Sequence, residues 1–324
     1  MMLSGKHNAR PDVDVFLTAL NSQAAPPLNE VPIDMAREAV SRRIETADVE
    51  PRALALIRDL SCAAPDGTAV PVRLYDPRDS RAPGPIMVYF HGGGFVFGSV
   101  DTHHSLCAEL AAVLDIPVVS VEYRLAPEHR WPSAPDDSEA VARWVAEAPS
   151  EIGRDVTSLV LAGDSAGGTL AAVTAIALRN DPAAKPVIAQ WVLYPATDMG
   201  NYRNYGSYSA FRDGYTMTDD RIDWYDQCYQ PDVTHWRASP LKADLTGLPP
   251  ALVVTAELDP LRDQGRAYAS ALIEAGVATI YREAAGTIHG FATYRNALPS
   301  SVTDVAHSLD LLKVMLEHAG SPFL

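Results

Sequence analysis

Apolar positions along this chain follow two rhythms. Short runs rich in β-branched residues fall at 54–61, 69–75, 86–90, 117–121, 158–162, 189–194, 251–256 and 278–283. Between most of them lie longer stretches with apolar residues three and four apart, at 105–114, 136–148, 169–179, 262–275 and 302–318. The first rhythm predicts eight strands and the second predicts amphipathic helices. Strands that read as continuous apolar runs and alternate with helices imply an α/β fold, an eight-stranded, mostly parallel sheet flanked by helices on both faces. The turn Pro65-Asp66-Gly67 between the first two runs predicts a hairpin there.

Two segments break the alternation. Residues 1–50 carry helical patterns, among them 33–47, and no strand. Residues 202–238 are polar and aromatic, with nine aromatic residues in 37 positions against 8% for the whole chain. Both are expected to pack together as a helical cap over a catalytic core made of 51–201 and 239–324.

Composition narrows the partners. With 324 residues, 47% of them hydrophobic and 21% charged, the chain can bury a large core. A net charge of −15 with only four lysines excludes a nucleic-acid binder, which needs clustered cations for the phosphate backbone. Cys62, Cys107 and Cys228 are odd in number and widely spaced, which predicts free thiols rather than a disulfide framework or a zinc site. The opening Met1-Met2-Leu3-Ser4-Gly5-Lys6 lacks the apolar core of a secretory signal, and no apolar run reaches the roughly 18 residues of a membrane span. A cytoplasmic protein without stable membrane insertion is expected.

The candidate chemistry sits at the ends of the expected strands. Gly163-Asp164-Ser165-Ala166-Gly167 joins the run at 158–162 to the helix at 169–179. A serine in so sharp a turn needs neighbours without side chains, and the turn lifts its hydroxyl to the carboxyl edge of the sheet above a helix N-terminus. A hydroxyl is a weak nucleophile, so it needs a base, and the base needs an orienting acid. His289, in Gly286-Thr287-Ile288-His289-Gly290-Phe291 after the last run, is the candidate base. His235, His307 and His318 also follow Ser165 but lie in the insert or the last helix. Asp259, just beyond the run at 251–256, is the candidate acid, with Asp198 as its rival and helix capping as its other reading. Gly92, Gly93 and Gly94, in His91-Gly92-Gly93-Gly94-Phe95 after the run at 86–90, together with the amide of Ala166, are candidate donors to an oxyanion. His91 is expected to brace that loop rather than transfer protons.

With these motifs in place the chain resembles the hormone-sensitive-lipase-like (bacterial family IV) esterases of the α/β-hydrolase fold. The matching stretches are HGGGF at 91–95, YRLAPE at 123–128, GDSAGG at 163–168, DPLRD at 259–263 and IHGF at 288–291, in family order. The usual DPLRDEG departs at Gln264, outside the expected triad. The resemblance implies Ser165, Asp259 and His289 as the triad of a serine carboxylesterase working through an acyl-enzyme. It implies short- to medium-chain acyl esters as substrates, no metal and no organic cofactor. A homodimer through a sheet edge is a further hypothesis from the family. Tyr208, Phe211 and Tyr215 of the insert, with Phe95 and Ile288 beside the motifs, are candidate substrate-binding residues. An amidase or peptidase with the same triad, or a non-catalytic small-molecule receptor, are the competing readings.

Overall fold

Each of the eight apolar runs becomes a strand in a computed structural model of the chain, which describes residues 8–22 and 26–318. The strands are β1 (Leu56–Ala63), β2 (Ala69–Asp76), β3 (Gly84–Phe90), β4 (Val118–Val121), β5 (Val156–Asp164), β6 (Val187–Leu193), β7 (Ala251–Leu258) and β8 (Thr279–Ile288). They form one sheet in the order β1-β2-β4-β3-β5-β6-β7-β8. β2 runs antiparallel to both its neighbours, β1 and β4, and every other pairing is parallel. The β1–β2 hairpin closes on the expected turn, where Asp66 accepts from the Thr68 amide.

Alternate residues of one strand enter different cores, as the two-residue period of a strand requires. Ile86, Val88, Phe90, Leu159 and Leu161 join one buried cluster, while Met87, Tyr89, Val160 and Ala162 join another. Helices α4 (Ser133–Ala146), α5 (Ala166–Asn180) and α8 (Arg262–Glu274) cover the first face, and α3 (His104–Leu114) and α9 (Ser301–Glu317) the second. With both faces covered the central strands are buried over most of their length, from Ile86 to Phe90 in β3 and from Ser158 to Asp164 in β5, and each fully buried Val, Leu or Ile contributes roughly 1.5–3 kcal/mol to stability.

The strands that lead to the candidate residues run further than their apolar cores. β5 extends through Asp164 and β8 through Ile288, past the expected ends at 162 and 283. Ala284, Ala285 and Gly286 are weak strand formers, but pairing of Ala284 with Ala256 and of Ile288 with Leu258 carries β8 onward. Gly286 is held from outside as well, since its amide donates to Glu257 and its carbonyl accepts from Arg10.

The two interrupting segments are helical. The first holds α1 (Pro11–Ser22) and α2 (Ile33–Ala47), and the insert holds α6 (Gly206–Phe211) and α7 (Asp219–Tyr229). They touch each other through Asn21, whose side chain donates to the Gly214 carbonyl at 2.9 Å. Arg37 ties α2 to the loops after β3 and β4 by donating to the carbonyls of Val96 and Ala126 while pairing with Glu128. A buried ion pair of 2.7 Å, Asp48 with Arg295, fixes the end of α2 beside the loop that follows β8. Cys62, Cys107 and Cys228 are free thiols. Among the described residues no helix is long and apolar enough to cross a membrane.

Candidate active site

Ser165 occupies the turn between β5 and α5 with φ 53° and ψ −119°, a conformation that costs a non-glycine residue of order 1–3 kcal/mol. The turn is that tight because α5 rests on the end of β3. A Cβ on Gly167 would stand 1.9 Å from the Phe90 carbonyl oxygen. The Ser165 amide donates to the Leu193 carbonyl of β6 at 2.8 Å, so the strained backbone is tied to the sheet.

Three side chains from three strand ends meet there. His289 Nε2 lies 2.8 Å from Ser165 Oγ, and His289 Nδ1 lies 2.7 Å from Asp259 Oδ2. The other oxygen of Asp259 accepts from the Leu261 amide at 2.8 Å, so this residue also fills the local capping role. Exposure is graded along the line, 8% at Ser165, 7% at His289 and 0% at Asp259, which leaves the hydroxyl reachable and the acid dry. With Nδ1–H donated to the carboxylate, Nε2 is free to accept from the serine hydroxyl. Thr216 of the insert donates to the His289 carbonyl at 2.9 Å. The rival Asp198 accepts from Asn201 and Tyr205 instead. His307 and His318 are exposed, and His235 packs on Trp131 and Trp236.

The glycine loop faces this line. Gly93 has φ 129°, and a Cβ there would sit 2.1 Å from the Phe97 carbonyl oxygen, so only glycine fits. Among the described residues the amides of Gly93, Gly94 and Ala166 have no internal acceptor, which leaves them available to a ligand. Gly92 must be removed from that group. Its amide already donates to Asp164 Oδ1 at 2.8 Å and lies 3.3 Å from His103 Nε2.

Asp164 is the residue the motif concealed, since GxSxG leaves its second position open. It is buried and also accepts from the Tyr89 hydroxyl at 2.8 Å, with His103 3.1 Å away. Burial works to raise its pKa. His103 and the hydrogen bonds from Tyr89 and Gly92 outweigh that and hold the carboxyl below its ordinary range. His91 braces the loop: it is stacked on Tyr123 at 4.2 Å, and its carbonyl accepts from the Tyr123 hydroxyl at 2.7 Å. Burial, then the neighbouring His103, pushes the His91 pKa down to about 3, so its imidazole stays neutral.

Two open cavities meet at Ser165. One, of about 410 Å³, is lined by Phe95, Ala196, Met199, Met217, Ile222, Tyr229 and Leu261, with Tyr202, Tyr225 and Asp226 among them. The other, of about 590 Å³, is lined by Gly92, Gly93, Gly94, His289 and Gly290, with Arg43, Arg221 and Tyr225. Phe95 thus stands where expected, stacked on Tyr229 at 3.9 Å. The other four expected contacts do not line either cavity. Tyr208 is buried with its hydroxyl on Asp219, and Phe211 packs under the Arg262 guanidinium. Tyr215 borders a separate outer groove, and Ile288 is a core residue of β8. Aromatic enrichment marked the right segment, but it does not tell which face of a helix turns inward.

Sequence and structure comparisons place the chain among known proteins. A family model described as alpha/beta hydrolase fold matches residues 87–293. The carboxylesterase NlhH of Mycobacterium tuberculosis is 36% identical over 318 residues, covering 94% of this chain and 97% of that protein. An ethyl acetate hydrolase of Pseudomonas putida is 40% identical over 72% of this chain and 75% of its own length. Among solved structures, the ester-hydrolase EH1AB1 from the metagenome of Lake Arreo, complexed with a bipyridine phosphonate derivative, superposes with a TM-score of 0.89. It is 38% identical and covers 97% of this chain and 100% of its own.

Proposed function

The chain belongs to the hormone-sensitive-lipase-like (family IV) branch of the α/β-hydrolases and is a serine carboxylesterase, and from that membership we propose which residues carry the reaction. The carrying observation is the hydrogen-bonded line Ser165–His289–Asp259, at 2.8 and 2.7 Å. In the proposed first step His289 Nε2 takes the Ser165 proton as Oγ attacks the ester carbonyl, and Asp259 stabilises the imidazolium without being protonated. The amides of Gly93, Gly94 and Ala166 receive the charge that develops on the carbonyl oxygen. His289 then gives its proton to the leaving alcohol, and water hydrolyses the acyl-Ser165 ester by the same route.

Because the leaving oxygen must end beside His289, we assign the cavity containing His289 to the alcohol and the apolar cavity of about 410 Å³ to the acyl chain. The apolar lining of Phe95, Met199, Ile222, Tyr229 and Leu261 supports an acyl chain there, and the family supports short- to medium-chain groups, acetate to octanoate. The named relatives hydrolyse carboxylic esters, which supports ester over amide chemistry. We also read 1–50 with 202–238 as a cap over the core of 51–201 and 239–324, supported by the Asn21–Gly214 and Thr216–His289 contacts. A cytoplasmic location, supported by the three free thiols, and a homodimer through the unpaired edge of β8 are further parts of the proposal. Light scattering on eluting protein tests the dimer.

The central test is a p-nitrophenyl ester panel on the wild type and on Ser165→Ala. The expected result is turnover from acetate to octanoate in the wild type and a kcat loss of roughly 10⁴- to 10⁶-fold in the variant. Turnover retained in Ser165→Ala overturns the assignment.

A further inference from the structure

The alcohol-side cavity contains two cations that the reaction itself does not require. Arg43 enters it from α2 and Arg221 from α7, two helices far apart in sequence. Other buried or half-buried arginines are satisfied by carboxylates, as Arg124 is by Asp137 and Arg295 by Asp48. Among the described residues neither Arg43 nor Arg221 has an acidic partner within ion-pair distance. Arg221 makes one long hydrogen bond, to the Thr216 carbonyl at 3.4 Å, and the Nε of Arg43 is buried with no acceptor. In a chain with 41 acidic and 26 basic residues, carboxylates are in surplus, yet this pair is left without one. An unsatisfied buried N–H and two partly desolvated guanidinium groups cost free energy that a bound anion would recover.

Arg43, Arg221 and Tyr225 line the same cavity. Burial pushes the Tyr225 hydroxyl up, and Arg221 and Arg43 both pull it back down. The Tyr225 ring lies against the oxyanion loop, with its Cδ1 2.7 Å from where a Cβ on Gly94 would stand. The cationic pair is therefore one aromatic ring away from the amides that face Ser165. Arg43 and Arg221 also form part of the wall of an outer groove that carries Glu30, Asp220 and Asp223, of which Asp223 pairs with Arg203 at 2.7 Å. The two arginines thus stand between this acidic rim and the inner cavity, where the one carboxylate, Asp164, is already engaged by Gly92, Tyr89 and His103.

We propose that Arg43 and Arg221 form an anion subsite for the alcohol portion of the substrate, so that the preferred esters carry a carboxylate on their leaving alcohol. Guanidinium groups present paired donors that match the two oxygens of a carboxylate. Hydrolysis of such an ester leaves the acyl group on Ser165 and releases a hydroxy acid whose carboxylate sits on the two arginines. The assignment rests on the proposed triad and on its placing of the alcohol beside His289.

The test compares 4-acetoxybenzoate with 4-acetoxybenzamide, which share acyl group and shape and differ in charge. The wild type is expected to favour the benzoate in kcat/KM by about tenfold, the scale of one charge-assisted contact pair. The Arg43→Gln/Arg221→Gln double variant is expected to bring the ratio to about one or below, and the double Lys variant to keep most of it. Effects on folding or on the chemical step are common to both esters and cancel in the ratio. A wild-type ratio of one or less, or a ratio unchanged in the double Gln variant, overturns the subsite. If the wild type hydrolyses neither ester, the triad reading fails separately. Calorimetry of 4-hydroxybenzoate against 4-hydroxybenzamide on the same proteins then decides the subsite alone, and equal binding of the two overturns it.

Discussion

The cleft has two unlike sides. On one, Met199, Met217, Ile222, Tyr229 and Leu261 offer carbon and sulfur surface; on the other, Arg43, Arg221 and His289 offer charge and hydrogen bonds. A single face of α7 nevertheless serves both. Arg221 and Tyr225 border the polar side, while Ile222, Tyr225, Asp226 and Tyr229 border the apolar side. Positions 221, 222, 225, 226 and 229 form one helical stripe. The attacking group and its base, and the amides proposed as oxyanion donors, come from strand ends and the turns after them. The difference between the two sides is therefore a property of the helices laid over the sheet, whereas the chemistry belongs to the sheet edge.

That division makes a sharp demand. Changes at the sheet edge should slow every ester equally, and changes on the α7 stripe should alter ratios between esters. The largest effect is expected from Asp259→Asn. The amide oxygen can still accept from Leu261, but an N–H now faces His289 Nδ1 and imposes the wrong tautomer. A kcat loss of about 10⁴-fold is expected, with the hexanoate-to-acetate ratio of kcat/KM unchanged. A ratio that moved more than about threefold, read on two p-nitrophenyl esters, would break the division.

Next comes Gly93→Ala, whose new methyl cannot share space with the Phe97 carbonyl. The loop must shift and its donors lose their aim, so kcat should fall about 10²- to 10³-fold for all esters alike.

The smallest effect is a pH dependence confined to the acyl side. Burial raises the Asp226 carboxyl to about 6, against a lesser pull downward from the Tyr202 hydroxyl 3.3 Å away. Below that pH the group is neutral and the cavity wholly uncharged; above it a carboxylate faces the acyl chain. The hexanoate-to-acetate ratio should fall several-fold as pH rises through about 6, while any effect of pH on the catalytic step cancels because both esters share it. Asp226→Asn should hold the ratio high and flat. A wild-type ratio that does not change with pH would show that Asp226 does not face the acyl chain.

The same division decides what the sequence could reveal. Strands buried on both faces leave continuous Val, Ile and Leu runs, so the sheet was legible to within a few residues. The weak formers Ala284 to Gly286 alone concealed the last turn of pairing before His289. Ser165, His289 and Asp259 were legible because glycine or proline marks each strand end. The α7 stripe was not, since Arg221, Tyr225 and Asp226 line a void and carry no apolar period. Tyr208 and Phe211 drew attention by composition while serving to pack the insert onto the core. Gly92 was misread because a glycine motif tells that amides are exposed to some partner, and here Asp164 takes the first of them.

Asp164 has a mechanical meaning as well. It adjoins Ser165 in the turn after β5 and grips Gly92 in the loop after β3. The attacking oxygen and the amides opposite it thus hang from a common mount, like jaws set on one pin. A displacement of one relative to the other would have to break that 2.8 Å hydrogen bond. The gauge that an ester carbonyl must fit thus passes through one carboxylate.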